Sequence, residues 1–373
     1  MKEVLKLKRC RILWLIPVEI LIILVCRASA WVSEYIFARG IFRILAIPLG
    51  AVTRLFPFSL AEIGLYVICI SAIVIPIWFM VHMVKSKGRR GLVALKVVVN
   101  VLCAATIVSS MFVVLCGTNY YRYGIETYLP YERTASDKDE LYELCVYLAN
   151  QVNAAREDIT TLDKNGVMAL SYDGTYQFMR EAEEVMHEFV QDYPAYQWST
   201  GSAKPILASH YMSYTDIVGI YIPFTMEANV NVDVVEYNTP SDTLHELAHL
   251  RGIMPEDEAN YVAYLACVTS GRPDFVYSGY MMAYIHATNQ LYDTDIEKYR
   301  DVRALLSEGV VTDLVANSEY WEQFETQIGE TVSNVSTSVN NAYLQVNGQE
   351  DGVKSYGMVV DLLLAEYKYN KSK

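Results

Sequence analysis

Apolar positions divide this chain in two. Up to about residue 117 they form long uninterrupted runs; beyond it they recur every three or four positions among polar and acidic residues. A run of about 20 apolar residues crosses a bilayer as a helix, and 60–84 and 92–116 meet that length with almost no charge. A third run, 12–26, is shorter and carries Pro17 and Glu19, and an acid is costly in hydrocarbon. Its basic start and the triplet Ala28-Ser29-Ala30 also fit a signal peptide cleaved after Ala30, but Arg27 beside that point favours an uncleaved anchor. The pattern predicts a membrane domain over 1–117 with transmembrane helices at about 12–26, 60–84 and 92–116, followed by one domain over 118–373.

The basic residues orient these spans. Lys85, Lys87, Arg89 and Arg90 lie between the second and third, and Lys2, Lys6, Lys8, Arg9 and Arg11 precede the first, so that loop and the N-terminus are expected in the cytoplasm. Arginines in the loop expected between residues 27 and 57 pull the other way without reversing the bias. Everything after Gly117 is then extracytoplasmic, in a multi-pass protein of a bacterial cell membrane.

In the second part, apolar residues at helical spacing predict helices at 137–155 and 176–193, and branched residues predict strands at 205–208 and 217–223. Further helices are expected at 275–292, 294–306, 318–343 and 352–367. This is an α+β class, mostly helical with a small sheet. The strand around 219–224 reads either as a sheet edge open to an extended peptide or as an ordinary core strand.

One stretch carries chemistry: His245-Glu246-Leu247-Ala248-His249, followed by Gly252 and by Glu256-Asp257-Glu258-Ala259-Asn260. On a helix, positions i and i+4 share a face, so both imidazoles reach one metal ion. Glu246 lies about 100° further round, where it reaches a water beside the metal without being a ligand. Thr239 as N-cap, Pro240 in the first turn and Asp242 three residues after the cap mark the helix start. Gly252 is expected to end it with a left-handed turn. A catalytic zinc takes a third protein ligand and keeps one position open. Of Glu256 and Glu258, the former is chosen, because Asn260 lies one turn further along its face and can hydrogen-bond a ligand. Glu258, Glu227, Asn229, His286 and Tyr356 are further candidates, the last two as oxyanion donors by residue type alone.

The E-x-x-A-N element resembles the glutamate-ligand helix of ImmA/IrrE-type metallopeptidases, and the H-E-x-x-H plus Glu scheme resembles gluzincins. Along most of its length the chain is similar to a bacterial membrane family known as domain of unknown function 3810. Stretches that carry this likeness include 57–60, 117–122, 219–225, the motif segment through Cys267, 341–344 and 347–349. The resemblance implies a membrane-anchored zincin-like domain and brings no substrate. The spacing from His249 to Glu256 is shorter than in typical gluzincins.

Charge and cysteines narrow the rest. Beyond Gly117 there are 16 Lys+Arg against 39 Asp+Glu, an acidic surface unsuited to nucleic acid. The 7 cysteines show no C-x-x-C spacing, and Cys145 and Cys267, inside the second domain, are expected as buried free thiols. The expected function is a zinc metallopeptidase holding one zinc ion through His245, His249 and Glu256. Glu246 would serve as its base, a peptide or protein outside the membrane as its substrate, and the lipid bilayer as its surroundings. The alternative keeps the metal and drops the catalysis: a membrane-anchored sensor or scaffold. An intact Glu246 argues against it.

Overall fold

A computed structural model describes residues 8–86, 88–133, 137–198, 201–349, 352 and 358–373. Among these, Val32–Thr53, Leu60–Lys85 and Arg90–Leu115 are the helices long and apolar enough to cross a membrane. The latter two coincide with the expected second and third spans. The expected first span is helix Leu15–Ala28, preceded by a 3-10 stretch over Lys8–Trp14. It packs on helix Arg90–Leu115, and its Glu19 accepts hydrogen bonds from the hydroxyls of Ser109 and Ser110 there. An acid at that depth requires such partners.

The loop expected between residues 27 and 57 is corrected to the helix Val32–Thr53, π-wound over Val32–Phe42. Its charges read as loop chemistry because their partners are remote in sequence. Glu34, fully buried, accepts from Arg39 Nε (2.6 Å) and from Arg122 Nε (2.8 Å). Arg43 donates to the Ala195 carbonyl at 2.6 Å.

The sheet has the order β1-β3-β2, with β1 over Ser202–Pro205, β2 over Gly219–Ile222 and β3 over Glu227–Val230. β1 runs parallel to β3 with Ser202 opposite Glu227; β2 is antiparallel, with Gly219 opposite Val230. β2 is therefore an edge strand. The strand expected at 205–208 starts three residues earlier, at Ser202. Central β3 has no counterpart among the expected elements, because its polar Glu227 and Asn229 disguise it. Both are fully or almost fully buried, and they fasten a span to the sheet. The backbone N–H groups of Leu60 and Ala61 donate to the Glu227 carboxylate (3.1 and 2.9 Å), and the Ser59 hydroxyl donates to Asn229 Oδ1 at 2.6 Å. Ser59 also caps its own helix by accepting from the Glu62 N–H. An anion beside a helix N-terminus complements the exposed N–H groups and the helix dipole.

Helices cover the sheet. Helix Lys138–Glu157 starts in a capping box at Asp137 and buries Leu141, Leu144, Leu148 and Val152 against helix Pro273–Thr294. Each such leucine contributes roughly 1.5–3 kcal/mol by leaving water. The helix expected at 318–343 is divided into Glu308–Glu322 and Gln327–Val346. Thr326 starts the second piece by accepting the Gly329 N–H at 3.0 Å. The last helix runs Val359–Lys371. All 7 cysteines are free, with Cys145 and Cys267 buried.

Candidate metal centre

Helix Thr239–Leu250 carries the histidine motif and lies on the sheet. Its start differs from expectation. Asn238, not Thr239, holds the cap position in helical backbone and makes no side-chain cap bond. The Ser278 hydroxyl of the neighbouring helix accepts the Ser241 N–H instead (3.0 Å), so a local cap is unnecessary. This frees Asp242, which faces Glu246; burial, then the Glu246 charge, pushes its carboxyl up to about 8.

The helix ends as expected. Gly252 has φ +84°, the Ile253 N–H donates to the Ala248 carbonyl (3.2 Å), and the Gly252 N–H donates to the His249 carbonyl (2.9 Å). These two bonds form a Schellman turn. A Cβ on Gly252 would lie 3.0 Å from Phe42, so only glycine suits both the backbone and the space. The tight reversal explains the short spacing to Glu256: Pro255 starts helix Glu256–Thr269, whose first residue returns over the imidazoles.

His245 Nε2 lies 3.2 Å and His249 Nε2 3.5 Å from Glu256 Oε2, and the three possible ligand atoms fall within 4.8 Å of one another. The other ring nitrogens are engaged. His249 Nδ1 donates to the Ile253 carbonyl (2.7 Å), and His245 Nδ1 sits 2.7 Å from Asn260 Oδ1. A carbonyl only accepts, so His249 carries a proton on Nδ1 and points Nε2 to the cluster. Burial opposes charge here, yet the Glu256 carboxylate outweighs it and raises His249 to about 9. Burial likewise opposes ionisation of Glu256, and the two imidazoles hold it well below the usual carboxylate range. Two imidazole nitrogens and a buried carboxylate oxygen that converge this closely fit a divalent ion of the zinc type.

Glu246 lies on the β2 side of the cluster. Burial raises its pKa, partly offset by the two imidazoles, and its carboxylate takes a hydrogen bond from the Tyr221 backbone N–H. Its Oε2 is buried without a partner. Gly219 makes room for it: a Cβ there would lie 2.5 Å from Glu246 Oε1. Gly219 and Tyr221 are contributors that motif reading overlooks, although a lone glycine in a strand signals a close approach. His286, on helix Pro273–Thr294, lies near enough to feel His245: burial, then the His245 charge, pulls it down to about 4. Glu258 turns away and accepts the Ile125 N–H at 2.7 Å. Glu227 and Asn229 are at the foot of the second span, as described above. Tyr356 lies outside the described residues.

No curated protein and no solved structure matches this chain. A family model does, over residues 37–364, and the chain belongs to that family, described as a protein of unknown function, DUF3810.

Proposed function

We propose that this protein is a membrane-anchored zinc metallopeptidase with a zincin-like fold, hydrolysing peptide bonds on the extracytoplasmic side. The observation that carries the reading is the convergence of His245, His249 and Glu256 beside the unpartnered Oε2 of Glu246. A purely structural metal site gains nothing from a buried, unsatisfied carboxylate next to it, which costs about 1–3 kcal/mol or more.

His245, His249 and Glu256 would hold the zinc, which supplies Lewis acidity towards a carbonyl and a water molecule when bound. Asn260 and the Ile253 carbonyl fix the two rings. Glu246 takes the proton of the attacking water on Oε2 and returns it to the leaving amine; the rise in its proton affinity caused by burial suits that shuttle. His286, kept neutral, is the candidate oxyanion donor among the described residues. The edge strand β2 offers a polypeptide substrate backbone pairing next to Glu246. The basic Lys85, Arg89 and Arg90 beside the second and third spans support a cytoplasmic loop there and an extracytoplasmic site.

The test is metal analysis of the purified full-length protein together with digestion of a peptide library, with Glu246→Gln as control. Wild type is expected to carry about one zinc per chain, as two histidines and one glutamate require, and to cut. Absence of any transition metal, with folding indifferent to chelator, would sink the reading.

A further inference from the structure

Both ends of helix Val32–Thr53 are tied to the same globular body. Near its start Glu34 pairs with Arg122 (2.8 Å); at its end the Thr53 carbonyl accepts from Lys204 Nζ (3.1 Å), and Arg54 pairs with Glu183 (2.5 Å). A helix held this way cannot carry the chain across a bilayer, despite sufficient length and apolarity. It lies along the body. Phe42, Ala46, Gly50 and Thr53 recur at helical spacing and are buried, whereas Ile41, Ile44, Val52 and Leu55 on the opposite face are exposed, Ile44 by 72% and Leu55 by 79%. Such a face suits the boundary between headgroups and acyl chains.

The sheet continues that surface. Ile220 and Ile222 pair across the strands with Asn229 and Glu227, so they share the face that rests on the first turn of helix Leu60–Lys85. Ile220 is 40% exposed, and Leu207, whose N–H donates to Glu62 in that same first turn, is 76% exposed. The exposed apolar surface is thus continuous with the spans, and its occupant is the lipid of the leaflet they enter.

The metal centre stands directly above this surface. The Tyr221 hydroxyl donates to the carbonyl of Leu115, the last residue of helix Arg90–Leu115 (3.2 Å), while the Tyr221 ring lies 6.4 Å from the His249 ring. Cys116 Sγ, the next residue of the chain, contacts Met254 Sδ at 3.5 Å, two positions before Glu256. Phe42 touches the turn at Gly252. A single layer of packed side chains, Tyr221, Cys116 and Phe42 among them, lies between the cluster and this surface.

We propose that the His245–His249–Glu256 centre works at the bilayer surface and cuts polypeptides anchored in that same bilayer, within about five residues of its hydrocarbon boundary. This rests on the hydrolase reading above. Five extended residues reach at most about 18 Å, enough for a site one layer up and far short of one a whole domain away.

The experiment uses the full-length protein, with exposed Cys69 changed to Ser, in vesicles of phosphatidylethanolamine and phosphatidylglycerol. Nitroxides are placed through Ile44→Cys, Ile220→Cys and, as a water-exposed control, Tyr292→Cys. Labels at 44 and 220 should be relaxed more by oxygen than by a water-soluble nickel chelate, and the label at 292 the reverse. Chelate-dominated relaxation at 44 and 220, or a bilayer-centre depth at 44, would overturn the placement. In the second arm, peptide libraries are joined to a lipid anchor directly, joined through a twenty-residue Gly/Ser spacer, or left free. The directly anchored library should be cut next to its anchor at least about tenfold faster than the free one, as shared tethering predicts. Cutting only in the spacer-borne library, or equal rates in all, would overturn the substrate. If no library is cut while the labels read bilayer depth, the hydrolase reading falls and the placement stands.

Discussion

Glu227 and Glu246 are buried carboxylates on packed neighbours, β3 and the motif helix, and they are treated in opposite ways. Glu227 is saturated: its oxygens accept from Leu60 and Ala61, with Lys204 Nζ 3.4 Å away. Glu34, under the turn of the motif, is likewise held by two guanidiniums. Glu246 keeps one oxygen without a partner, and Glu256 Oε2 meets only the two imidazoles, at 3.2 and 3.5 Å. Most buried polar groups in folded proteins are satisfied, so an exception calls for a partner from outside. Saturated acids here fasten helices Val32–Thr53 and Leu60–Lys85 to the body; the unsaturated one lies beside the His245–His249–Glu256 cluster.

The contrast breaks first on metal. His249→Ala should lose bound zinc and bring hydrolysis to background, whereas Glu227→Ala should keep its metal per folded chain while weakening the junction with helix Leu60–Lys85. Elemental analysis of both variants reads this directly, and zinc retained in His249→Ala would mean the ligand set is wrong.

Glu246→Gln should retain zinc and lose roughly 10²–10⁴-fold in rate, the usual worth of a positioned base. Because it removes an ionisable group that burial disfavours, its thermal stability should equal or exceed that of wild type. Glu34→Ala is the mirror experiment: leaving Arg122 buried without its carboxylate should cost about 3–5 kcal/mol in chemical denaturation. A stability loss in Glu246→Gln as large as in Glu34→Ala would dissolve the distinction between the two kinds of site.

Within the centre, Asn260→Ala should weaken zinc binding by about 10–100-fold, the common cost of losing a group that orients a ligand. Glu258→Ala, which removes only the acceptor for the Ile125 N–H, should leave affinity unchanged. Competition with a chelator of known affinity ranks the two, and the reverse order would exchange their roles.

The smallest effect tests whether a buried acid with a raised proton affinity alone marks a site. Burial raises Glu366 to about 7 from the ordinary 4.5 of a glutamate, with the Tyr261 and Tyr264 hydroxyls opposing the rise. The folded chain thus holds this proton between about pH 4.5 and 7 where the unfolded chain releases it, so stability falls as pH climbs through that window. Glu366→Gln should melt like wild type at pH about 4 and higher than wild type at pH about 8, with zinc content and hydrolysis unchanged. A change in activity would extend the functional region to the last helix.

Much of this was legible before any contact was known. Two spans follow from uninterrupted apolar length, the metal-ligand spacing from the pitch of a helix, the turn at Gly252 from the one residue at ease with positive φ, and the place of Asn260 on the face of Glu256 from the i+4 rule. Each is local, decided within a few residues by covalent geometry and burial. Helix Val32–Thr53 and strand β3 were not legible in the same way. Their charged and polar residues look solvent-bound until partners about 90 to 170 positions away are brought to them, as Arg122 is to Glu34 and Leu60 to Glu227. The sequence by itself determined which residues can bind a metal and which runs can enter a bilayer. Tertiary structure decided that Glu256 faces the imidazoles while Glu258 does not, that Gly219 and Tyr221 shelter Glu246, and that the centre stands on the end of a span, because those outcomes depend on the direction in which a side chain leaves one element and meets another.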